Sequence, residues 1–247
     1  MIMEPARRWS FLRYGSWIVI AVLAALIVNE FQPKTSIGRA PSRRAQCVNN
    51  MKQIILALAN YESVNGRYPP ASVAGPDGRP WHSWRILLLP FMEQNGLYQR
   101  YKFDEPWDGP NNIKLLPLTP QSYLCPEYGR VRPTGTGYVA ITGPGSAFGD
   151  AHGLRHAQVL DKHSETIMVV EWAGEEIPWT SPVDLSLTTM SLRVNARNRP
   201  AISSRHSGGA NVSFVDGGVR FLKNSVPPAT VKSLMTIDAG DDPGRKF

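Results

Sequence analysis

Cysteine is scarce in this chain. Its 247 residues hold two, Cys47 and Cys125, and no Cys-x-x-Cys pair, the spacing a thiol redox site prefers. No Gly-x-Ser-x-Gly elbow is present, so a serine hydrolase triad has no scaffold. The glycine-rich stretch at 143–149 (GPGSAFG) lacks the spacing of a dinucleotide loop, and no helix is expected after it. Charged residues make up only 19%, with no stripe of lysine and arginine interleaved with aromatics, which argues against a nucleic-acid partner. Long apolar runs are missing apart from one, which excludes a multi-span membrane protein. A hydrophobic content of 42% excludes a disordered one.

Glycine and proline, by contrast, are plentiful at 21 each, and they indicate many turns and short elements. The formal charge is +7, and its position is informative. Residues 1–44 contain seven basic groups (Arg7, Arg8, Arg13, Lys34, Arg39, Arg43 and Arg44) against Glu4 and Glu30, so most of the excess lies there. The one apolar run, 14–28 (YGSWIVIAVLAALIV), sits among those charges. Fifteen helical residues rise about 22 Å, short of a ~30 Å hydrocarbon core. Adding Phe11 and Leu12, with Arg13 reaching back to the interface, gives a minimal span over 11–28. Arginines before the span place the N-terminus in the cytoplasm and the body in the periplasm or outside. A cleaved signal peptide is the rival reading, but no small-x-small site follows promptly: Asn29, Glu30, Phe31, Gln32 and Pro33 come next.

The expected organisation is therefore a cytoplasmic N-terminus and transmembrane anchor (1–30), a proline-containing tether (31–44) and an exported domain (45–247) on a single-pass cell membrane. Pro33, Gly38 and Pro41 are expected to keep the tether non-helical. Cys47, Met51, Ile54, Ile55, Leu58 and Tyr61 recur at three- and four-residue spacing and predict a helix over 45–65, stopped by Gly66 and Pro69-Pro70. A second helix is expected over Trp81–Asn95, divided near Pro90. Short strands are expected at Ser122–Cys125, Gly137–Thr142 and Thr166–Glu171, then a hairpin over Ala210–Leu222 turning at Asp216-Gly217, and a last helix at Ala229–Met235. The fold class is α+β, with a helix packed on an antiparallel sheet. In an oxidising compartment Cys47 and Cys125 have one intrachain pairing available, a structural disulfide; two free buried thiols are the alternative.

Several motifs then line up: SRRAQCVNNMKQIILALANYESVNGRYPPAS, HSWRILLLPFMEQNGLYQRY, EPWDGPNN, SYLCPE, GYVAITGPGSAF, ETIMVVEWAG, IPWTSPVDL and RHSGGANVSFVDGGVRFL. In this order, over about residues 43–247, they resemble a large bacterial family abundant in planctomycetes, catalogued as domain of unknown function 1559. It pairs a prepilin-type N-terminus with a His-x9-Asp-Gly signature, which His206, Asp216 and Gly217 match. The resemblance implies a head like those of type IV pilins and type II secretion pseudopilins, with partners among secretion or pilus components. It implies no enzymatic activity and no cofactor. The chain departs from a prepilin before its apolar run, where RYGSW replaces the Gly-Phe-Thr-Leu-x-Glu cleavage motif. That departure fits a pilin-like head on a fixed anchor.

Individual residues admit two readings each. His206 is a candidate ligand or general base, or else a structural histidine; Asp216 most simply shapes its turn, and their spacing on one strand keeps the two apart. His152, His156 and His163 lie close in sequence but lack the cysteines or carboxylates of a zinc site. Trp81, Trp84, Trp107, Trp172 and Trp179 are candidates for a carbohydrate-stacking face, or else core and loop-pinning residues. Asp238, Asp241 and Asp242 are weak calcium candidates without the spacing of an EF-hand. The function read here is binding or assembly by a non-enzymatic, membrane-anchored envelope protein, with an exported ligand- or carbohydrate-binding module as the alternative.

Overall fold

The computed structural model describes residues 36–127 and 133–240. The expected anchor at 11–28 and the calcium candidates Asp241 and Asp242 lie outside the described residues. Among the described residues no helix is long and apolar enough to cross a membrane. The chain divides into two compact units, Met1–Ala40 and Pro41–Phe247, and the architecture below, apart from the first five residues of the first helix, belongs to the second.

The first helix, α1 (Ser36–Asn65), begins earlier than Ala45 and carries Pro41 inside it. The tether expected over 31–44 is therefore helical in its second half. Pro41 falls in the second turn, so only the short stretch before it loses a backbone donor. Beyond it the apolar stripe sustains the helix: Cys47, Met51, Ile54, Ile55 and Leu58 are all buried, as their spacing requires. Gly66 ends the helix in the left-handed region (φ 71°), its N–H bonding the carbonyl of Glu62.

A two-stranded ribbon follows, β1 (Ser72–Ala74) paired antiparallel with β2 (Pro80–Ser83). The helix expected over Trp81–Asn95 is instead the end of β2, one turn of α2 (Trp84–Leu87) and a 3-10 turn at Leu89–Met92; α3 (Asn95–Arg100) comes after it. Ser83 caps α2 by accepting from the Arg85 N–H, Pro90 restarts the chain as 3-10, and Glu93 at φ 58° ends that turn. Ser122–Cys125, expected as a strand, also departs. Residues Gln121–Tyr123 form a 3-10 turn launched by Pro120, and its N–H groups point back along the chain to Pro120 and Gln121 rather than to a neighbouring strand.

The main sheet has five strands in the order β5-β3-β4-β6-β7. These are β3 (Tyr138–Thr142), β4 (Ile167–Glu171), β5 (Leu185–Ser186), β6 (Gly209–Phe214) and β7 (Val219–Lys223). Four pair antiparallel as expected, while β5 joins β3 parallel, so the sheet is mixed. Both faces are covered. On one, Tyr138, Ala140, Met168 and Val169 pack with the α1 stripe. On the other, Val139, Ile141, Ile167, Val170, Val212 and Phe214 pack with Val231 and Leu234 of or just after α4 (Pro228–Ser233). The alternation slips between Ile167 and Val170, where the register with β6 shifts, and this bulge sends both residues to the α4 side. In the β6–β7 hairpin only Gly217 has positive φ (85°); Asp216 accepts the Gly218 N–H through Oδ1, the turn-shaping role its sequence position indicated.

Candidate functional site

Four elements far apart in sequence converge beneath α1. Cys47 comes from the middle of that helix, and Cys125 from the segment after the 3-10 turn at Gln121–Tyr123. Glu171 is the last residue of β4, and His206 lies in the loop leading into β6. All four are buried, and one ligand-type atom from each lies within 4.8 Å of every other. The structure holds the cysteines as thiols with their sulfurs 2.8 Å apart. Hydrogen bonding between them pushes their pKa values apart, that of Cys47 upward and that of Cys125 downward.

Each member is held in place. Gly137, just before β3, lets the backbone of Cys125 come close: a Cβ there would sit 2.7 Å from Cys125 Cβ and 3.0 Å from its backbone nitrogen. Gly137→Ala is accordingly expected to lower stability by about 1–3 kcal/mol, as overpacking does, and to make the Cys125 thiol react faster with maleimide. Unchanged melting and labelling in that variant would show that Cys125 does not depend on the close approach. Glu171 accepts two bonds from Asn211, its Oε2 from the backbone N–H at 2.7 Å and its Oε1 from the side-chain amide at 2.8 Å. The loop that carries His206 is pinned by Asn195, itself left-handed at φ 58°, which accepts the Ser204 N–H at 2.7 Å. Ser204 Oγ in turn accepts the His206 N–H at 3.1 Å.

The imidazole of His206 stands between two carboxylates. Nε2 is 3.3 Å from Glu171 Oε1, and Nδ1 is 3.6 Å from Glu127 Oε1; the side chain is 4% exposed. Nε2 lies off the hydrogen-bonding line and has no hydrogen-bond partner, so its attraction to Glu171 is one of charge. Burial opposes the imidazolium, yet Cys125 and Glu171 outweigh it and lift the pKa to about 9. Burial likewise opposes the Glu171 carboxylate, and the nearby His206 together with the bonds from Asn211 outweighs it and holds its pKa below the usual value. Glu127 also receives Arg43 from α1 at 3.3 Å, tying the start of the described helix to the same corner.

The other candidates are not brought together. Asp216 is exposed at the hairpin turn, away from His206, as the spacing implied. Trp84 and Trp179 are fully buried on either side of Tyr123, and Trp172 is buried with its Nε1–H on the Glu175 carbonyl. Trp81 lies against Gly75 and is half-buried, as is Trp107. The five tryptophans thus offer no common stacking face. Asp238 is exposed. His156 and His163 meet edge to face at 4.3 Å, and Tyr68 Oη lies 3.0 Å from His156 Nδ1; His152 is exposed.

Sequence reading paired the two cysteines but did not join His206 and Glu171 to them. Ligand spacing is readable only when ligands share an element, and these four sit on four. The usable signal was the His-x9-Asp-Gly spacing at His206 and Asp216, whose histidine enters the cluster while its aspartate shapes the turn. A second buried group was missed outright. Arg85 and Asp184 pair at 2.6 Å with side chains 0% and 2% exposed.

A family model described as "Protein of unknown function (DUF1559)" matches residues 37–146 and 172–229. Those segments contain Cys47, Cys125, His206 and Asp216, and Glu171 immediately precedes the second. No curated protein and no solved structure matches the chain.

Proposed function

This chain belongs to the DUF1559 family of proteins of unknown function, and from that premise we propose that it is a membrane-anchored, pilin-like envelope protein that acts in binding or assembly. The observation that carries the reading is α1: one thirty-residue helix begins at Ser36, passes through Pro41 and seals its apolar stripe on a largely antiparallel sheet. A helix laid along such a sheet is the layout of pilin and pseudopilin heads. Sequence supplies the anchor at 11–28, with arginines on its cytoplasmic side, and so directs the head to the periplasm or beyond. Leu56 and Val64, about two turns apart, leave the outer flank of α1 with apolar side chains 60% and 74% exposed, contact points for a secretion or pilus-like partner.

Catalysis is the weaker reading on physical grounds. Cys125, His206 and Glu171 have the composition of a nucleophilic centre, but all three are buried beneath α1. A binding-module reading has one specific support, a mostly apolar groove of about 320 Å³ lined by Trp172, Val139, Ile177 and Leu185.

Fractionation of native envelopes followed by protease shaving is expected to recover the chain with membranes and to digest the head only from the outer side. Crosslinking in the same envelopes is expected to capture secretion or pilus-type components through α1. A soluble chain with a new N-terminus near Ala40 would refute the anchor, and capture of no envelope component would refute assembly. Quenching of Trp172 fluorescence by a glycan panel would instead favour the groove.

A further inference from the structure

The cluster beneath α1 has the chemistry of a metal centre. Two thiols, an imidazole and a carboxylate make a mixed soft and borderline donor set, which selects zinc-like ions over calcium or magnesium. We propose that the chain with its thiols reduced binds one zinc-class divalent cation through Cys47 Sγ, Cys125 Sγ, His206 Nε2 and Glu171 Oε1.

Geometry supports this beyond proximity. Two ligands on one tetrahedral zinc, at about 2.0–2.2 Å from the metal, stand about 3.4 Å apart. His206 Nε2 and Glu171 Oε1 are 3.3 Å apart, and Nε2 is buried without a hydrogen-bond partner. An ion that displaces the Nε2 proton would find there a nitrogen that no hydrogen bond already occupies. Metal-bound histidines ordinarily give their other ring nitrogen to a carboxylate, which fixes the ring and strengthens the ligand. Glu127 occupies that place, 3.6 Å from Nδ1 and steadied by Arg43. Ligating carboxylates are held by outer hydrogen bonds in the same way, and Asn211 supplies two to Glu171. Only the sulfurs must move. Their 2.8 Å contact would have to open to about 3.8 Å around a metal with bonds near 2.3 Å. Closing Cys47 and Cys125 into a disulfide would remove both thiolates, so the oxidised chain serves as a control that needs no mutation.

The test is a cobalt(II) and zinc(II) titration of the full chain in detergent, with thiols held reduced by a phosphine. Cobalt is expected to give thiolate charge-transfer and tetrahedral d–d bands that saturate at one ion per chain and vanish on adding zinc. The disulfide-closed chain is expected to give neither band. Glu127→Gln, which keeps all four ligands, is expected to weaken zinc binding 10–100-fold, and His206→Gln to distort the cobalt spectrum. A reduced wild-type chain without cobalt bands would overturn the proposal, as would bands that persist in the Cys47→Ser/Cys125→Ser double variant. Since no readout depends on export or on a partner, failure of this site leaves the envelope reading standing.

Discussion

Arg85→Met is expected to cost about 3–5 kcal/mol, the penalty for stranding one member of a buried ion pair. Arg85 is wholly enclosed and donates to Asp184 at 2.6 Å, to the Tyr138 carbonyl, to the Ser181 carbonyl and to Ser83 Oγ. Its guanidinium also lies over the Trp84 ring at 4.7 Å. Asp184 is engaged just as fully, accepting the Trp84 indole N–H and the Ala140 backbone N–H besides Arg85. This pair therefore joins α2, β3 and the segment entering β5. Desolvation already raises the pKa of Asp184, and Arg85 is the charge that opposes this, so without Arg85 the carboxyl tends to take up a proton. For a body near 200 residues the loss corresponds to a drop in melting temperature of about 10 °C or more. Adding Asp184→Leu to Arg85→Met removes the stranded carboxylate and should recover part of the loss, though the Ala140 and Trp84 donors are then orphaned. A single variant that melts within a degree or two of wild type would show that this network does not hold the layers together.

Oxidation of the thiol pair comes next in size. The cysteines are 78 residues apart, and closing a loop of that length lowers the entropy of the unfolded chain by about 4.5 kcal/mol at 25 °C. With a chelator present, so that no bound ion steadies the thiol form, the disulfide-closed chain is expected to outlast the reduced one by roughly that amount in urea. Thiol counting by mass tagging on chain taken from native envelopes is expected to find both sulfurs blocked. Two free thiols there, or equal stability of the two forms, would count against a structural disulfide.

How far the sequence revealed this fold depends on the length of each element. The α1 stripe, β3, β4 and the β6–β7 hairpin were legible because each runs five residues or more and shows its period, or because Asp216-Gly217 marks the turn. β1, β2 and β5 span two to four residues, too few to display alternation. Ser122–Cys125 misled for a different reason: its Tyr-Leu-Cys run reads as a strand, but Pro120 sets the preceding backbone for a 3-10 turn that buries Tyr123. Pro41 misled in the other direction, since a proline near the start of a long packed helix costs little of the helix beyond it. For the site, chemistry was legible residue by residue and its assembly was not. Which of five histidines would meet two cysteines depends on the loop that Asn195 pins and on the approach Gly137 permits, both tertiary facts.

The ends of the sheet carry a consequence for crowding. Copies of any protein held close together, as the proposed anchor would hold this one, are invited to zip together by a bare strand edge. Here one edge, β5, offers only two residues. The other, β7, presents Arg220 and Lys223, and its Phe221 ring is covered by the guanidinium of Arg44 at 4.5 Å. Neither rim is a template for growing a continuous sheet from head to head. Copies of the chain brought side by side therefore have no long bare strand at either end of this sheet through which to fuse.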